Sequence, residues 1–276
     1  MKKIFIVVAV CLIAVGLLGH SAPQMRLSVL DIGKADAILI TLKGHAVLVD
    51  TGTEESAQTV LHALAAQKVT QLDALIISHF DQDHIGGAAA VLAEIPVRAV
   101  YQPDYEKDTA ACADYRRALE AYDGALITVR ERKSVDVGKM RFVILPPEKE
   151  IQARSSNDQS LVTALYYGRT SFLLPGDAAR QRLQELIDGD IGTFDVLKVP
   201  HHGILEENSL AFVQMVSPKY AVVTAPDKAY ADEAIIAQLC AVGADVRATC
   251  GGMVNCFSDG RAVCVLGGCR QEATKK

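Results

Sequence analysis

The sequence predicts an α/β protein with two mixed β-sheets sandwiched between layers of helix. Three observations point there. Short apolar runs alternate with amphipathic helical stretches along the body of the chain. Some neighbouring strands are joined by tight Gly-containing turns and therefore pair as hairpins. Others are separated by a helix. The 276 residues are half apolar and 22% charged, which suits one large domain or two small ones and excludes a disordered tail.

The elements follow in order. Residues 25–32 alternate apolar and polar as a strand does. Residues 37–42 and 46–49 flank Lys43-Gly44-His45 and form a hairpin. Residues 55–68 place Ala57, Val60, Leu61, Leu64 and Ala65 on one helical face. Residues 72–78 are a short buried strand, and 88–94 a helix that ends before Pro96. Strand 97–101, helix 109–122, strand 125–129 and strand 140–145 come next, the last stopped by Pro146-Pro147. A polar loop around 148–157 divides two halves of one domain. Residues 160–167 and 170–174 form a hairpin across Gly168-Arg169. Helix 178–187 and the buried strand 194–199 follow, then helix 209–216, strand 220–224, helix 232–242 and strand 245–248. Residues 253–257 and 261–266 close the chain as a hairpin across Ser258-Asp259-Gly260.

The first 22 residues stand apart. Met1-Lys2-Lys3 is basic, residues 4–18 are apolar, and Gly19-His20-Ser21-Ala22-Pro23 turns polar. This is the layout of a secretory signal peptide or an N-terminal anchor, so the protein is expected to be exported, with membrane attachment through this segment as the alternative. The expected organisation is a leader over 1–22, one domain over 25–268 and a C-terminal tail over 269–276. Six cysteines follow the leader: Cys112, Cys240, Cys250, Cys256, Cys264 and Cys269. Export permits a C-terminal disulfide; buried free thiols are the other reading. No C-x-x-C spacing suggests a zinc ribbon.

The net charge of −5, from 28 basic and 33 acidic residues, offers no general field for nucleic acid. Any polyanion needs a local site, for which a metal is the natural candidate. Trp is absent and aromatics make up 5%, so stacking platforms for bases are scarce.

The most informative stretch is Ser78-His79-Phe80-Asp81-Gln82-Asp83-His84-Ile85-Gly86-Gly87. A buried strand ends, and two imidazoles and two carboxylates follow at once. Desolvating such groups unpaired is costly, and a divalent metal removes that cost. The glycine pair is expected to let the chain turn tightly into the next helix.

This stretch resembles the H-x-H-x-D-H motif of the metallo-β-lactamase superfamily, written here His79-x-Asp81-x-Asp83-His84. The Asp at the third place is the variant of ComEC-type competence proteins. The likeness extends to Leu30-Asp31-Ile32-Gly33-Lys34-Ala35-Asp36-Ala37-Ile38-Leu39-Ile40 (LDVGQGDAILI in that group) and Val47-Leu48-Val49-Asp50-Thr51-Gly52 (LIDTG). It continues through Asn157-Asp158-Gln159-Ser160-Leu161-Val162 (NDxSLV), Leu173-Leu174-Pro175-Gly176-Asp177-Ala178 (LLTGDA) and Asp195-Val196-Leu197-Lys198-Val199-Pro200-His201-His202-Gly203 (DVLKVxHHG). The resemblance implies a four-layer αββα sandwich of two mixed sheets. It implies two divalent ions, zinc or manganese, with His79 and Asp81 on the first and Asp83 and His84 on the second. Asp177 would bridge the two, and Asp158, or in second place Asn157, would stand where other members carry a third His. Of the His pair, His202 is expected as a ligand and His201 as the ring that meets a phosphate oxygen or a leaving group. Asp83 and His201 are thus the catalytic candidates. Asp36 and Asp50 are candidates to orient ligand imidazoles, with a turn-capping role for Asp50 as the alternative.

Two divalent ions sharing a carboxylate lie about 3.5–4 Å apart and suit hydrolysis of a phosphodiester, lactone or amide. The resemblance favours a phosphodiesterase or nuclease acting on single-stranded nucleic acid or nucleotides. Alternatives are a phosphodiesterase on a cell-envelope substrate, such as choline-decorated polymers, and a non-catalytic envelope protein that keeps the fold. Three departures from the family pattern bear on this. GQGD reads Gly33-Lys34-Ala35-Asp36, and HHGS reads His201-His202-Gly203-Ile204. The late NxYGHP reads Lys228-Ala229-Tyr230-Ala231-Asp232-Glu233, which puts Asp232 in place of a His.

Overall fold

Two eight-stranded sheets lie face to face in the computed structural model, which describes residues 24–148 and 155–273. The leader expected over 1–22 lies outside the described residues. The first sheet contains β1 (Met25–Val29), β2 (Ile38–Leu42), β3 (His45–Val49), β4 (Ala74–Ile76), β5 (Ala99–Gln102) and β6 (Ala125–Thr128). The C-terminal hairpin β14 (Val254–Ser258) and β15 (Val263–Gly267) returns to it, giving the order β15-β14-β1-β2-β3-β4-β5-β6. The second sheet contains β7 (Lys133–Val137), β8 (Met140–Leu145), β9 (Val162–Tyr167), β10 (Thr170–Leu174), β11 (Val196–Lys198), β12 (Tyr220–Val223), β13 (Asp245–Ala248) and β16 (Cys269–Gln271). Its order is β16-β13-β12-β11-β10-β9-β8-β7.

Period-two alternation builds three apolar layers. Ile38, Ile40, Val47 and Ile76 point inward and meet Phe142, Leu165, Phe172, Val196 and Val222 of the other sheet. Leu39, Leu48, Leu75 and Val100 point outward, under helices α1 (Ala57–Ala66), α2 (Gln82–Ile85), α3 (Ala88–Glu94) and α4 (Ala110–Glu120). Leu173, Leu197, Ala221 and Val223 do the same beneath α5 (Arg180–Asp188), α6 (Ser209–Val216) and α7 (Glu233–Ala241). Strands covered on both faces read as continuous apolar runs, which is why Leu-Ile-Ile and Val-Leu-Lys-Val carried no alternation. The result is the expected αββα sandwich of two mixed sheets.

Three elements differ from expectation. β7 was not read as a strand because its side chains are mostly exposed and polar; it is an edge strand held by the ladder to β8, Lys133 opposite Ile144. The stretch expected as a tail from Cys269 begins instead with β16, paired antiparallel with β13, Ala248 opposite Cys269. Gly267 and Gly268, at φ +86° and +63°, carry the chain from one sheet to the other there. The buried strand expected over 72–78 shortens to β4, because its last residues leave the ladder to form the site. All six cysteines among the described residues are free thiols. Burial and the neighbouring Cys269 thiol push Cys250 up to about 11.

Candidate metal centre

β3 and β4 run parallel, as do β10, β11 and β12. The segments leaving the carboxyl ends of these strands meet at one edge of the sandwich. They deliver Asp50 after β3, Ser78 and His79 after β4, Asp177 after β10, the His201-His202 pair after β11 and Thr224 after β12. Clefts at the carboxyl ends of parallel strands are the usual ligand position in α/β sheets.

Backbone hydrogen bonds bind these loops together. Asp36 N donates to Asp83 O (3.0 Å), Gly52 N to Asp36 O (2.7 Å), and Thr51 N to His84 O (2.7 Å). The Gly86-Gly87 pair is explained by this packing and not, as expected, by a special turn: Gly86 and Gly87 have ordinary helical dihedrals. A Cβ on Gly86 would stand 2.6 Å from Glu54 N, and one on Gly87 2.4 Å from Thr51 O. Gly176 does need its left-handed φ of +59°, which turns the chain so that Asp177 faces inward.

Asp177 is the centre of the arrangement. Its Oδ1 lies 3.2 Å from His84 Nε2 and its Oδ2 lies 3.1 Å from His202 Nε2. Asp83 Oδ2 is 3.4 Å from His202 Nε2. Asp83, His84, Asp177 and His202 each offer a ligand atom, and these atoms all lie within 4.8 Å of one another. Beside them, the rings of His79 and His84 lie tilted at 50° with centroids 4.1 Å apart, and Asp81 Oδ2 lies 3.9 Å from His79 Nε2.

The three Nε2 atoms of His79, His84 and His202 are fully buried, and none has a hydrogen-bond partner among the described residues. Their opposite ring nitrogens are all anchored. His79 Nδ1 lies 3.0 Å from Ser78 Oγ, whose hydroxyl donates to Asp50 Oδ2 at 2.7 Å. His84 Nδ1 lies 2.8 Å from the same Asp50 oxygen. His202 Nδ1 lies 2.8 Å from Thr224 Oγ1, which donates to Asp36 Oδ1 at 2.7 Å. Since both hydroxyl protons go to carboxylates, each Nδ1 carries a ring proton, which leaves Nε2 of the neutral ring as the lone pair, at His84 once its second proton has gone. Three buried Nε2 atoms without a hydrogen bond, two of them against Asp177 and the third facing Asp81, fit a divalent cation.

The charges say the same. Burial opposes ionisation of Asp177, yet His84, His202 and Lys198 hold its carboxyl well below the usual range. Burial also works against a charged His84, but the Asp177 and Asp50 carboxylates raise it well above an ordinary imidazole. A proton on His84 answers the negative charge that a metal would otherwise meet. Burial and the adjacent His84 push His79 down to about 3, so it stays neutral.

Asp36 and Asp50 thus orient imidazoles, Asp36 through Thr224 and Asp50 directly. Together with His84 they form a second cluster of possible ligands. Lys198 Nζ, however, already lies 2.5 Å from Asp36 Oδ2, and Ser78 N and Oγ already occupy Asp50. That cluster is the support of the centre.

The other expected residues are placed as follows. Asp158 is not brought to the centre: its Oδ1 accepts from the backbone N–H groups of Gln181 and Arg182, and its Oδ2 from Ser155 Oγ. It caps α5, which explains why Asp177, three residues before that helix, is free of capping duty. Asn157 is the member of the pair nearer the site, with Nδ2 3.2 Å from His201 Nε2. His201 sits at the rim, its Nδ1 held 2.9 Å from Glu206 Oε1. His201 and His202 both have left-handed dihedrals (φ +47° and +54°), a strained pair of the kind found at functional sites. Asp232 caps α7 through Ala234 N at 2.8 Å, and its own backbone N–H donates to Gly203 O at 2.9 Å, behind the His pair.

Sequence reasoning missed Ser78, Thr224, Lys198, Lys34 and Lys107. Lys34 pairs with Asp83; Lys107 pairs with Asp81, which Ser156 Oγ also contacts. Lys198 did leave a trace, as a lysine inside a strand that is otherwise apolar.

A four-layer αββα sandwich with imidazoles and carboxylates gathered at its shared strand edge defines a metal-binding hydrolase-like protein. The profile of the metallo-beta-lactamase superfamily matches residues 30–225, and the chain belongs to that superfamily. It is 30% identical over 206 residues to competence protein ComA of Neisseria gonorrhoeae, covering 73% of this chain and 27% of that protein. It is 31% identical over 228 residues to ComE operon protein 3 of Bacillus subtilis strain 168, covering 72% and 28%. The chain therefore spans only about a quarter of these curated relatives. Among solved structures, the metallo-beta-lactamase fold protein YhfI from Bacillus subtilis superposes with a TM-score of 0.60 at 14% identity, covering 84% of this chain and 99% of that one. Among the described residues, no helix is long and apolar enough to cross a membrane.

Proposed function

We propose that the protein is an exported, dinuclear metal-dependent hydrolase of phosphodiester bonds, with single-stranded nucleic acid or nucleotides as the substrate class. One observation carries the metal reading: three Nε2 atoms are buried without a hydrogen bond, those of His84 and His202 against Asp177 and that of His79 facing Asp81. The competence-protein names of the relatives favour a nucleic-acid substrate, and the leader-like first 22 residues favour export.

In this reading His84, Asp83, His202 and Asp177 hold one ion, and His79, Asp81 and Asp177 hold the other. The ligand set is mixed imidazole and carboxylate, which suits zinc or manganese. When bound, two such ions polarise the attacked phosphoryl group and make a water acidic enough to attack near neutral pH. The chain's own residues supply the rest. Asp36 and Asp50 fix the ligand rings, and Lys198 neutralises the buried carboxylates behind them. His201, poised between Glu206 and Asn157 at the rim, is placed to pass a proton to the leaving oxygen.

The test is metal analysis of protein purified without chelator, followed by hydrolysis of bis(4-nitrophenyl) phosphate and of a labelled single-stranded oligonucleotide. Two ions per chain and metal-dependent cleavage are expected. A chain that takes up no zinc or manganese refutes the metal reading. A chain that binds two ions and cleaves neither substrate refutes the phosphodiesterase reading.

A further inference from the structure

Two lysines guard the centre, one at each half. Lys34, in the loop between β1 and β2, pairs with Asp83. Lys107, in the loop before α4, pairs with Asp81 and donates to Ser156 Oγ at 3.1 Å. Both partners are carboxylates assigned above to metal: Lys34 stands on Asp83 Oδ2, the oxygen that faces His202, and Lys107 on Asp81 Oδ1, leaving Oδ2 to face His79. Neither side chain is locked in place: Lys34 is 37% exposed and Lys107 29%, whereas Lys198 is 1% exposed and wedged between Asp36 and Asp177. Lys107 also lines a cavity of about 690 Å³ together with Phe80, Tyr105 and Tyr115, so its head group is reachable from outside the centre.

The charge balance shows what these lysines are for. Five carboxylates face the three buried rings: Asp36, Asp50, Asp81, Asp83 and Asp177. Against them stand the ammoniums of Lys34, Lys107 and Lys198. With His84 protonated the centre carries one negative charge in excess, and with all three rings neutral, as metal ligands are, two. Two divalent ions reverse this to two positive charges in excess. Coordination also drains the carboxylates of the charge that held Lys34 and Lys107, and a flexible lysine stem allows the head group to move.

Resting on the dinuclear reading above, we propose that Lys34 and Lys107 are the anion-recognition pair of the enzyme. Each stands beside a candidate ligand carboxylate on a partly exposed, flexible stem and presents its ammonium to the phosphate oxygens of the substrate. The pair restricts the enzyme to substrates that carry negative charge at the scissile group, in agreement with a phosphodiester and against a neutral lactone or amide.

The experiment uses the full chain loaded with manganese or zinc and inorganic phosphate as the probe. Lys34→Met and Lys107→Met remove the charge and keep the length; Lys34→Arg and Lys107→Arg restore it; Lys→Gln variants replace any Met variant that fails to fold. Metal content is measured by elemental analysis and phosphate affinity by calorimetry. Each Met variant is expected to keep both ions and to bind phosphate about tenfold more weakly, the size of one charge-assisted hydrogen bond, while the Arg variants bind as the wild type does. Unchanged phosphate affinity in metal-loaded Met variants overturns the proposal. Loss of metal from them also overturns it, because the ammoniums would then be holding the ligand carboxylates in place and not recognising the anion. A wild type that takes up two ions but binds no phosphate overturns the lysine role alone. A wild type that takes up no metal overturns the metal reading and this role with it.

Discussion

Replacing Lys198 with methionine strips the cation from beneath the centre while keeping the side chain's length. Lys198 Nζ lies 2.5 Å from Asp36 Oδ2 and 3.5 Å from Asp177 Oδ1, and it donates to Gly176 O at 3.3 Å. All three side chains are buried to within a few per cent. Methionine leaves two carboxylates in a low-dielectric interior with no cation on that side. Removing one partner of a buried pair costs about 3–5 kcal/mol, several times the value of an exposed pair. Burial favours a neutral Lys198, but Asp36 and Asp177 outweigh it and raise its pKa above 10.5. A raised pKa means that the contribution is fully present below 10.5 and is lost as pH climbs through the folded value. The difference between wild type and Lys198→Met should therefore stay constant from pH 6 to 10. Urea unfolding of chelator-treated protein measures it. Adding Asp36→Asn to Lys198→Met should recover at least about 1 kcal/mol of the loss, because the two groups are directly coupled. A loss below about 1 kcal/mol, or strict additivity of the two substitutions, would show that the pair is not the buried counter-charge described here.

Asp177→Asn should keep the fold, since helix α5 is capped by Asp158, and should weaken metal binding by at least about 100-fold and abolish hydrolysis; full activity in this variant, read with a phosphodiester substrate, removes Asp177 from the centre. Asp158→Ala should cost about 1–2 kcal/mol of stability in urea with metal content unchanged. Missing metal in that variant would return Asp158 to the ligand set. Gly87→Ala must push against Thr51 O from 2.4 Å and is expected to cost about 1–3 kcal/mol in urea; it should also lower metal occupancy, because Thr51 N holds the carbonyl of His84. An alanine variant as stable as the wild type would mean that the loop 51–54 yields freely.

Much of the centre was legible because its residues cluster in short motifs. His79, Asp81, Asp83 and His84 sit within one strand-to-helix connection, and a buried strand that ends in four ionisable groups has few explanations besides metal. Asp177 and His202 were legible for the same reason, each following an apolar run. Asp158 was misplaced because a carboxylate that caps a helix and one that binds metal look alike in sequence. The difference lies in whether the N–H groups of residues 181 and 182 come within reach, which depends on how α5 packs. Asp232 posed the same ambiguity and is likewise a cap.

The sequence by itself determined the layering, because alternation and buried runs specify which residues face another layer wherever the strands fall. It also determined the types of the candidate ligand side chains, since these are a matter of residue chemistry. Only the tertiary structure decided which of these groups meet. Asp36 and Thr224 are 188 residues apart, yet the Thr224 hydroxyl donates to Asp36 Oδ1 at 2.7 Å and so holds His202. Lys107 reaches the centre from a loop with no motif of its own, and Lys34 from a motif position where the family pattern has Gln. Such contacts cross from one sheet to the other or from loop to loop, and no local periodicity records them. They arise because both sheets end their parallel strands at one edge, where the carboxylates' shared need for a counter-charge draws distant cations together.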